Sequence, residues 1–147
     1  MHWLTKTSDK TRDTGILMIR LIVGLVFLYH GAEKLFGAFG GSGIGGFAKF
    51  LGNIHVPYPM VAAALSAGTE FFGGLALILG LFLRLAMIPM AFNMIVAVHA
   101  TSGHGFSVVK GGFEYPLVML VALAALAVTG PGRWSVDRLM AGNRSRF

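Results

Sequence analysis

The sequence contains no cysteine, and this absence removes several kinds of chemistry from the chain. Disulfide bonds, thiolate nucleophiles and zinc or iron–sulfur centres held by cysteine are all excluded. Charged residues are also scarce, at 12% of the chain, whereas a soluble domain carries about 25%. Hydrophobic residues instead make up 55% of the 147 positions. This excess of apolar surface indicates a protein of the lipid bilayer.

The apolar residues are arranged in long runs that predict four bilayer-spanning helices. A span needs roughly 20 mainly apolar residues. Asp13 is expected to cap the first span, and Pro59 begins the second. The apolar sequence that follows is too long for one crossing and is divided near Gly80 and Arg84, while Gly130-Pro131-Gly132 ends the fourth span. The predicted spans are residues 15–35, 59–81, 85–100 and 113–129.

The positive charges predict the orientation of these spans. Eight lysines and arginines lie on one side of the four-span arrangement, and they are Lys6, Lys10, Arg12, Arg84, Arg133, Arg138, Arg144 and Arg146. Three lie on the other side, and they are Lys34, Lys49 and Lys110. Basic loops stay in the cytoplasm, so both termini are predicted to be cytoplasmic, in the inner membrane of a bacterial cell. The same placement explains the net charge of +6 without nucleic acid as a partner.

These boundaries divide the chain into three parts. A cytoplasmic N-terminal segment (residues 1–14) precedes a transmembrane domain (residues 15–132), and a basic cytoplasmic tail (residues 133–147) follows it. Between the first two spans, apolar residues recur at helical spacing from Ile44 to Val56. This pattern predicts a short amphipathic helix on the outer membrane surface, which either packs on the bundle or covers its outer mouth. The predicted fold is therefore all-α, a polytopic four-helix membrane bundle with one interfacial helix.

Two charged residues, Arg20 and Glu70, lie deep within the first and second predicted spans. A charge at that depth is costly, so it is normally paired and turned toward protein. Small residues recur on the same helical face as each charge, and membrane helices approach one another closely at such faces. We therefore predict that both side chains face inward and form a buried ion pair, directly or through water. The pair would either fix the helix register or take part in proton transfer.

A second polar group is predicted at the outer ends of the spans. His30 lies near the end of the first span, His99 closes the third, and Glu114 opens the fourth. Histidine can move protons near neutral pH, donate to a quinone carbonyl or bind a metal. We assign proton exchange to Glu114 and His99, and the candidate ligand-binding residues are His30, His99, Lys34 and Tyr115. A metal is not favoured, and the alternative set of metal ligands is His30, His99, His104 and Glu114.

Longer motifs run through the predicted spans. The first carries R-L-x-x-G-x-x-F-x-x-H-G-x-x-K-L-F-G from Arg20 to Gly37, and the second carries E-x-x-G-G-x-x-L-x-x-G from Glu70 to Gly80. Glu114, the histidine that closes the third span, and the T-G-P-G and S-V-D-R segments near the C terminus complete the pattern. From about residue 15 to residue 139, the chain resembles the DoxX family.

The resemblance implies a four-helix membrane protein of a group whose named member is associated with a thiosulfate:quinone oxidoreductase. Other relatives are linked to quinones, to thiol redox chemistry and to the maturation of periplasmic enzymes. Because this chain lacks cysteine, a direct thiol role is disfavoured, and sulfur chemistry would need a partner subunit.

We therefore predict a membrane subunit of a redox system, inactive alone, that binds quinone or a similar amphipathic head group near the outer face. Its expected partners are the lipid bilayer, quinone, a redox subunit and a second copy in a homodimer. No cofactor other than quinone is predicted. One alternative is a non-catalytic scaffold or maturation factor for a partner enzyme, and another is a small transporter or channel.

Overall fold

The computed structural model describes residues 8–144, and this part of the chain is helical without strands. Six α-helices follow one another: α1 (Asp9–Phe36), α2 (Gly43–Asn53), α3 (Pro59–Leu79), α4 (Leu83–Thr101), α5 (Glu114–Thr129) and α6 (Val136–Arg144). Short 3₁₀ turns lie between α1 and α2 and between α4 and α5. The prediction of an all-α fold is confirmed.

Three helical segments in this range are long and apolar enough to cross a membrane: Asp9–Phe36, Pro59–Leu79 and Leu83–His104. Helix α5 is also apolar but shorter, because it has 16 residues. The described structure therefore supports three membrane-capable helices, and the fourth span stays a prediction.

The helix ends agree with the sequence in part. Pro59 begins α3, and Gly80 ends it in the left-handed conformation with φ 66°. The prediction for α1 was wrong, because Ser8 caps this helix by accepting a hydrogen bond from the Thr11 N–H at 3.2 Å. Asp13 lies inside the first turns of α1. The first seven residues of the predicted N-terminal segment and the last three of the tail lie outside the described residues.

Helices α1 and α3 pack closely as antiparallel neighbours through glycine. A Cβ atom on Gly24 would lie 2.8 Å from the Ile78 side chain, and one on Gly74 would lie 2.6 Å from the Leu28 backbone nitrogen. A Cβ on Gly31 would collide with the Phe71 backbone. The glycines therefore let the two backbones touch, as small residues do between membrane helices. When a residue of α1 contacts a residue of α3, their two residue numbers sum to about 102. This sum defines the register of the two helices.

The interior of the bundle is lined by the faces that the sequence predicted. In α1 the buried residues include Arg20, Gly24, Phe27 and Gly31, and in α3 they include Ala63, Ala67, Glu70 and Gly74. The Arg20 and Glu70 side chains both belong to this interior, with only 2% and 3% of each residue exposed. Both charges therefore face inward. The apolar core continues between α4 and α5 through Leu83, Met90, Leu123 and Leu126.

The chain after α5 turns back and attaches α6 to the start of α4. The Asp137 carboxylate accepts hydrogen bonds from the Phe82 N–H at 2.7 Å and the Leu83 N–H at 3.0 Å. The Asp137 N–H donates in turn to the Gly80 carbonyl at 3.0 Å. A residue of the C-terminal S-V-D-R segment thus caps a helix that begins more than fifty positions earlier, and it satisfies N–H groups that would otherwise lack partners.

Candidate functional site

The Glu70 carboxylate is held by a lysine from a neighbouring helix. The Lys34 ammonium donates to both carboxylate oxygens, with each N–O distance at 2.6 Å. The Glu70 side chain is 4% exposed, whereas the Lys34 side chain is 27% exposed. The Glu70 side of the pair is therefore more deeply buried than the Lys34 side.

A third helix completes the environment of Glu70. The Asn93 side-chain amide of α4 donates to Glu70 Oε1 at 3.0 Å. The Ser66 hydroxyl, one turn before Glu70 on α3, donates to Asn93 Oδ1 at 2.8 Å and so orients that amide. Buried polar groups need such partners, because an unpaired one costs free energy. The network ties α1, α3 and α4 together at one level of the bundle.

The predicted ion pair between Arg20 and Glu70 is not formed, because Arg20 has other partners. Its guanidinium donates to the backbone carbonyls of Pro131, Trp134 and Ile78. The register explains the error. Since paired residues of α1 and α3 add to about 102, Arg20 is level with position 82 rather than with Glu70. Glu70 lies nine residues before the end of α3 at Leu79, and this part of the helix is about 14 Å long.

The shift in register arises because α3 extends beyond the end of α1. By the same relation, Phe36 at the end of α1 is level with position 66, seven residues after α3 begins at Pro59. Helix α2 also packs against α3, and a Cβ atom on Gly52 of α2 would lie 3.7 Å from the Pro59 ring at the start of α3. The sequence interpretation aligned the two outer ends, and this alignment placed Arg20 too close to Glu70. Lys34 is the basic residue that reaches the carboxylate.

A cavity of about 180 Å³ lies beside the Lys34–Glu70 pair. It is lined by residues of α1, α3, α4 and α5, namely Phe27, His30, Lys34, Glu70, Met94, Ala97, Thr101, Tyr115 and Pro116. The rings of His30 and Tyr115 meet edge-on, with their centroids 5.6 Å apart. His30 Nδ1 lies 2.9 Å from Glu33 Oε2, and this contact orients the imidazole. We call this cavity the Lys34–Glu70 pocket.

A larger apolar groove adjoins the pocket at His30. This groove has a volume of about 610 Å³ and runs along α1 and α3. Its walls are Leu25, Val26, Leu28, Tyr29, His30, Ala32, Phe39, Phe71 and Leu75. The Phe39 ring stacks on Tyr29 with the two centroids 4.6 Å apart. His30 lines both spaces. It therefore lies between the polar pocket and a groove whose lining is apolar except for Tyr29 and His30 itself.

Helix α2 covers the open side of Lys34. The Lys34 ammonium lies 5.0 Å from the centroid of the Phe47 ring, which is within the range of a cation–π interaction. The predicted helix between Ile44 and Val56 is thus present as Gly43–Asn53, with its exposed Lys49 turned away from the bundle. Its position over Lys34 fits both readings of this segment, packing and cover.

Two residues that we predicted to exchange protons, His99 and Glu114, do not line the pocket. His99 is exposed, because Ala97 and Thr101 define the face of α4 toward the cavity and His99 lies about 200° from Ala97. The Glu114 carboxylate accepts a hydrogen bond from the Val108 N–H at 2.9 Å and so holds the loop before α5. The structure thus places neither residue at the pocket, and their assignment to proton exchange stays a prediction.

The alternative metal site is not assembled either. His104 is exposed in the turn after α4, and His30, His99 and Glu114 point to separate places. Within residues 8–144, no group of three or more histidine or acidic side chains lies close enough to hold a metal ion.

Of the predicted ligand-binding residues, three lie together at the pocket: His30, Lys34 and Tyr115. The residues that sequence reasoning missed are Asn93 as a partner of Glu70 and Thr101 and Met94 as wall residues. Lys34 lies on the same helical face as Arg20, and this spacing was the signal that could have identified it as the partner of Glu70. The pocket offers an ammonium, an imidazole and a phenol as donors beside one buried carboxylate.

Comparisons with known proteins agree with this architecture. A family model described as DoxX matches residues 15–130. An uncharacterized membrane protein of Mycobacterium tuberculosis, Rv3486, is 35% identical over 84% of this chain and 80% of its own length. The inner membrane protein YqjF of Escherichia coli is 29% identical over 89% of this chain and 95% of its own length.

A Bacillus subtilis protein named "Putative oxidoreductase CatD" is 29% identical over 88% of this chain and 89% of its own length. No solved structure matches the chain. Because the family model covers most of the chain and the relatives match over most of their length, the chain is a membrane protein that belongs to the DoxX family.

Proposed function

We propose that this chain is a quinone-binding membrane subunit of a redox system, with the quinone head group in the Lys34–Glu70 pocket. The observation that carries the proposal is the pairing of this small polar pocket with an apolar groove through His30. Quinones have the same two parts, a compact head with two carbonyl oxygens and a long isoprenoid tail.

The volumes of the pocket and the groove support this division of the quinone into head group and tail. Sites for whole drug-sized ligands occupy about 300–1,000 Å³. The pocket of about 180 Å³ is too small for such a molecule and suits a single ring. The groove of about 610 Å³ has room for the first part of an isoprenoid tail beside Leu25, Leu28 and Leu75. The tail then continues into lipid, since these leucines lie on the outer surface of the helices.

The donors of the pocket suit a quinone carbonyl. The Lys34 side chain is partly exposed and lines the pocket, so its ammonium can donate to the carbonyl while it keeps contact with Glu70. Tyr115 and His30 also line the pocket and can donate to the ring oxygens. Reduction of a quinone takes up two protons and two electrons. In the proposal, His30 and Glu70 supply or receive protons, and the electrons pass to or from a partner redox subunit.

Two further elements of the proposal rest on sequence patterns. A fourth span formed by α5 and a cytoplasmic location of both termini would place the pocket toward the outer face of the membrane. The named oxidoreductase relative from Bacillus subtilis supports the redox theme. The homodimer and the transporter or channel remain predictions from the sequence.

The proposal is tested by titrating the purified protein in detergent with short-chain ubiquinone and menaquinone while its thermal unfolding is followed. Binding to the folded state raises the unfolding temperature, and the shift grows with the logarithm of the free ligand concentration above Kd. We expect this shift in the wild type and in His99→Ala, and its loss in His30→Ala. No shift with any quinone, or equal shifts in both variants, would contradict the proposed site.

The structure also favours a second candidate, the non-catalytic scaffold. The Glu70 carboxylate is already satisfied by Lys34 and Asn93, as expected for a group whose role is to join helices. A scaffold of this kind would lose its partner enzyme when the network is broken and would tolerate His30→Ala. Co-purification of the partner with each variant separates this candidate from quinone binding.

A further inference from the structure

Four arginines converge at the end of the bundle opposite the Lys34–Glu70 pocket. They are Arg12 of α1, Arg84 in the first turn of α4, Arg133 after α5 and Arg138 of α6. Together they line a hollow of about 710 Å³, whose acidic members are Asp9 and Asp13. We call this space the arginine hollow. Four separate segments of the fold supply its positive charge.

The positive charge of the hollow is only partly neutralised within the protein. Arg12 lies 3.6 Å from Asp9, and both side chains are largely exposed. Among the described residues, the guanidinium groups of Arg84 and Arg133 have neither an ion pair nor a hydrogen bond. The Asp137 carboxylate accepts the N–H groups of Phe82 and Leu83, and it forms no ion pair with Arg84 or Arg133.

The surroundings of the hollow indicate where its ligand comes from. Apolar residues stand at its edge: Leu139 is 73% exposed, and Trp134 in the adjoining turn is 60% exposed. Tryptophan beside exposed apolar side chains is typical of the membrane–water interface. Arg84 lies at the start of a membrane-capable helix, so the guanidinium groups are at the depth of lipid head groups rather than far into water.

We propose that the arginine hollow binds the phosphate group of an anionic phospholipid. Arginine presents a planar fork of donors that matches phosphate oxygens, and basic pockets between membrane helices are known sites for acidic head groups. The open guanidinium groups of Arg84 and Arg133 contact the phosphate, and Leu139 contacts the acyl chains. The hollow is at the end that the basic residues predict to be cytoplasmic. This inference is independent of the quinone site.

The lipid would connect α4, the turn after α5 and α6 from outside. That junction is otherwise held by Asp137 and by the Arg20 contacts with the Pro131 and Trp134 carbonyls. A bound anion between Arg84 and Arg133 thus stabilises the same junction at the membrane surface.

The test measures lipid affinity of the full chain in a non-ionic detergent by native mass spectrometry. The probes are phosphatidylglycerol, phosphatidylcholine and inorganic phosphate as a competitor. The test variant is Arg84→Gln with Arg133→Gln, and the control is Lys49→Gln with Lys110→Gln, which removes the same charge at the other end. All four residues are exposed, so both variants are expected to keep the wild-type unfolding temperature.

We expect the wild type to prefer phosphatidylglycerol, and the arginine variant to bind it roughly 30-fold more weakly, since each basic residue near the surface contributes about 1 kcal/mol and tenfold corresponds to about 1.4 kcal/mol. The lysine control keeps the wild-type affinity. Equal loss in both variants, or no preference over phosphatidylcholine, would overturn the proposal. Competition by inorganic phosphate with no retained lipid would show that a free phosphate compound, rather than a lipid, is the ligand.

Discussion

Lys34 and Glu70 are joined through two contacts of 2.6 Å, across the closely packed interface of α1 and α3. The pair combines a nearly buried Glu70 side chain with a partly exposed Lys34 side chain that lines the pocket. This asymmetry distinguishes it from a fully enclosed ion pair.

The first prediction concerns the energy of this pair. Loss of one partner leaves a buried charge uncompensated, so Lys34→Met is expected to destabilise the protein by about 3–5 kcal/mol. Adding Glu70→Gln to Lys34→Met should recover part of that loss, because the second change removes the unpaired charge. The measurement is a double-mutant cycle from unfolding in detergent with increasing denaturant.

The matched control for this cycle is Arg20→Met with Glu70→Gln. Arg20 and Glu70 do not touch, so their effects on the free energy of unfolding should simply add. A strong coupling between Arg20 and Glu70, with none between Lys34 and Glu70, would restore the pairing that the sequence suggested.

The second prediction tests the register of α1 and α3. Leu28 and Leu75 line the same groove, and cysteines at these two positions should be joined by a short thiol cross-linker. Ala64 lies on the same face of α3 as Leu75 but about 16 Å along the helix, so Leu28→Cys with Ala64→Cys should not react. The absence of native cysteine makes the chain a clean background for gel-shift detection.

The third prediction concerns the glycine contact between these helices. Gly74→Ala places a methyl group 2.6 Å from the Leu28 backbone nitrogen, and overpacking of this kind costs about 1–3 kcal/mol. Gly68→Ala on the same helix meets nothing within 4 Å and is expected to be neutral or stabilising by up to about 1 kcal/mol. Thermal unfolding of the two variants in detergent provides the comparison, and equal stability would argue against the close approach.

The fourth prediction concerns the cap that α6 provides for α4. Asp137→Ala removes both acceptors of the Phe82 and Leu83 N–H groups and should cost about 0.5–2 kcal/mol. Asp137→Asn keeps one side-chain oxygen and should lose much less. Unfolding temperatures of the two variants rank them, and an equal loss in both would show that the negative charge, rather than a side-chain acceptor as such, is important.

The helices and their inward faces could be predicted from the sequence, whereas the pairing of side chains could not. Apolar run length and the spacing of Gly24, Gly31, Ala67 and Gly74 determine which faces are buried, and these are local properties. The partner of Glu70 depends on how far α3 extends past α1, and that distance follows from the register in which the two helices pack. Composition and periodicity carry no information about such a shift.

The same reasoning explains the outer polar residues. His30, Lys34 and Tyr115 meet because their helix faces converge, but His99 is exposed and is two positions from the residue that faces the cavity. The sequence indicated that these residues lie at a similar depth in the membrane. It did not indicate whether their side chains point toward the same cavity. Glu114 binds the Val108 N–H because the loop before α5 folds back over it, a non-local contact that its neighbours in sequence do not indicate.

The most direct test of the proposed function is photolabelling of the full chain with an azidoquinone, followed by peptide mapping with mass spectrometry. We expect labels on the α1 peptide that contains His30 and Lys34 and on the start of α5 at Tyr115, with competition by unlabelled quinone and loss of labelling in His30→Ala. Labels confined to His99 and the turn at His104, or labelling that unlabelled quinone does not reduce, would contradict a head-group site at the Lys34–Glu70 pocket.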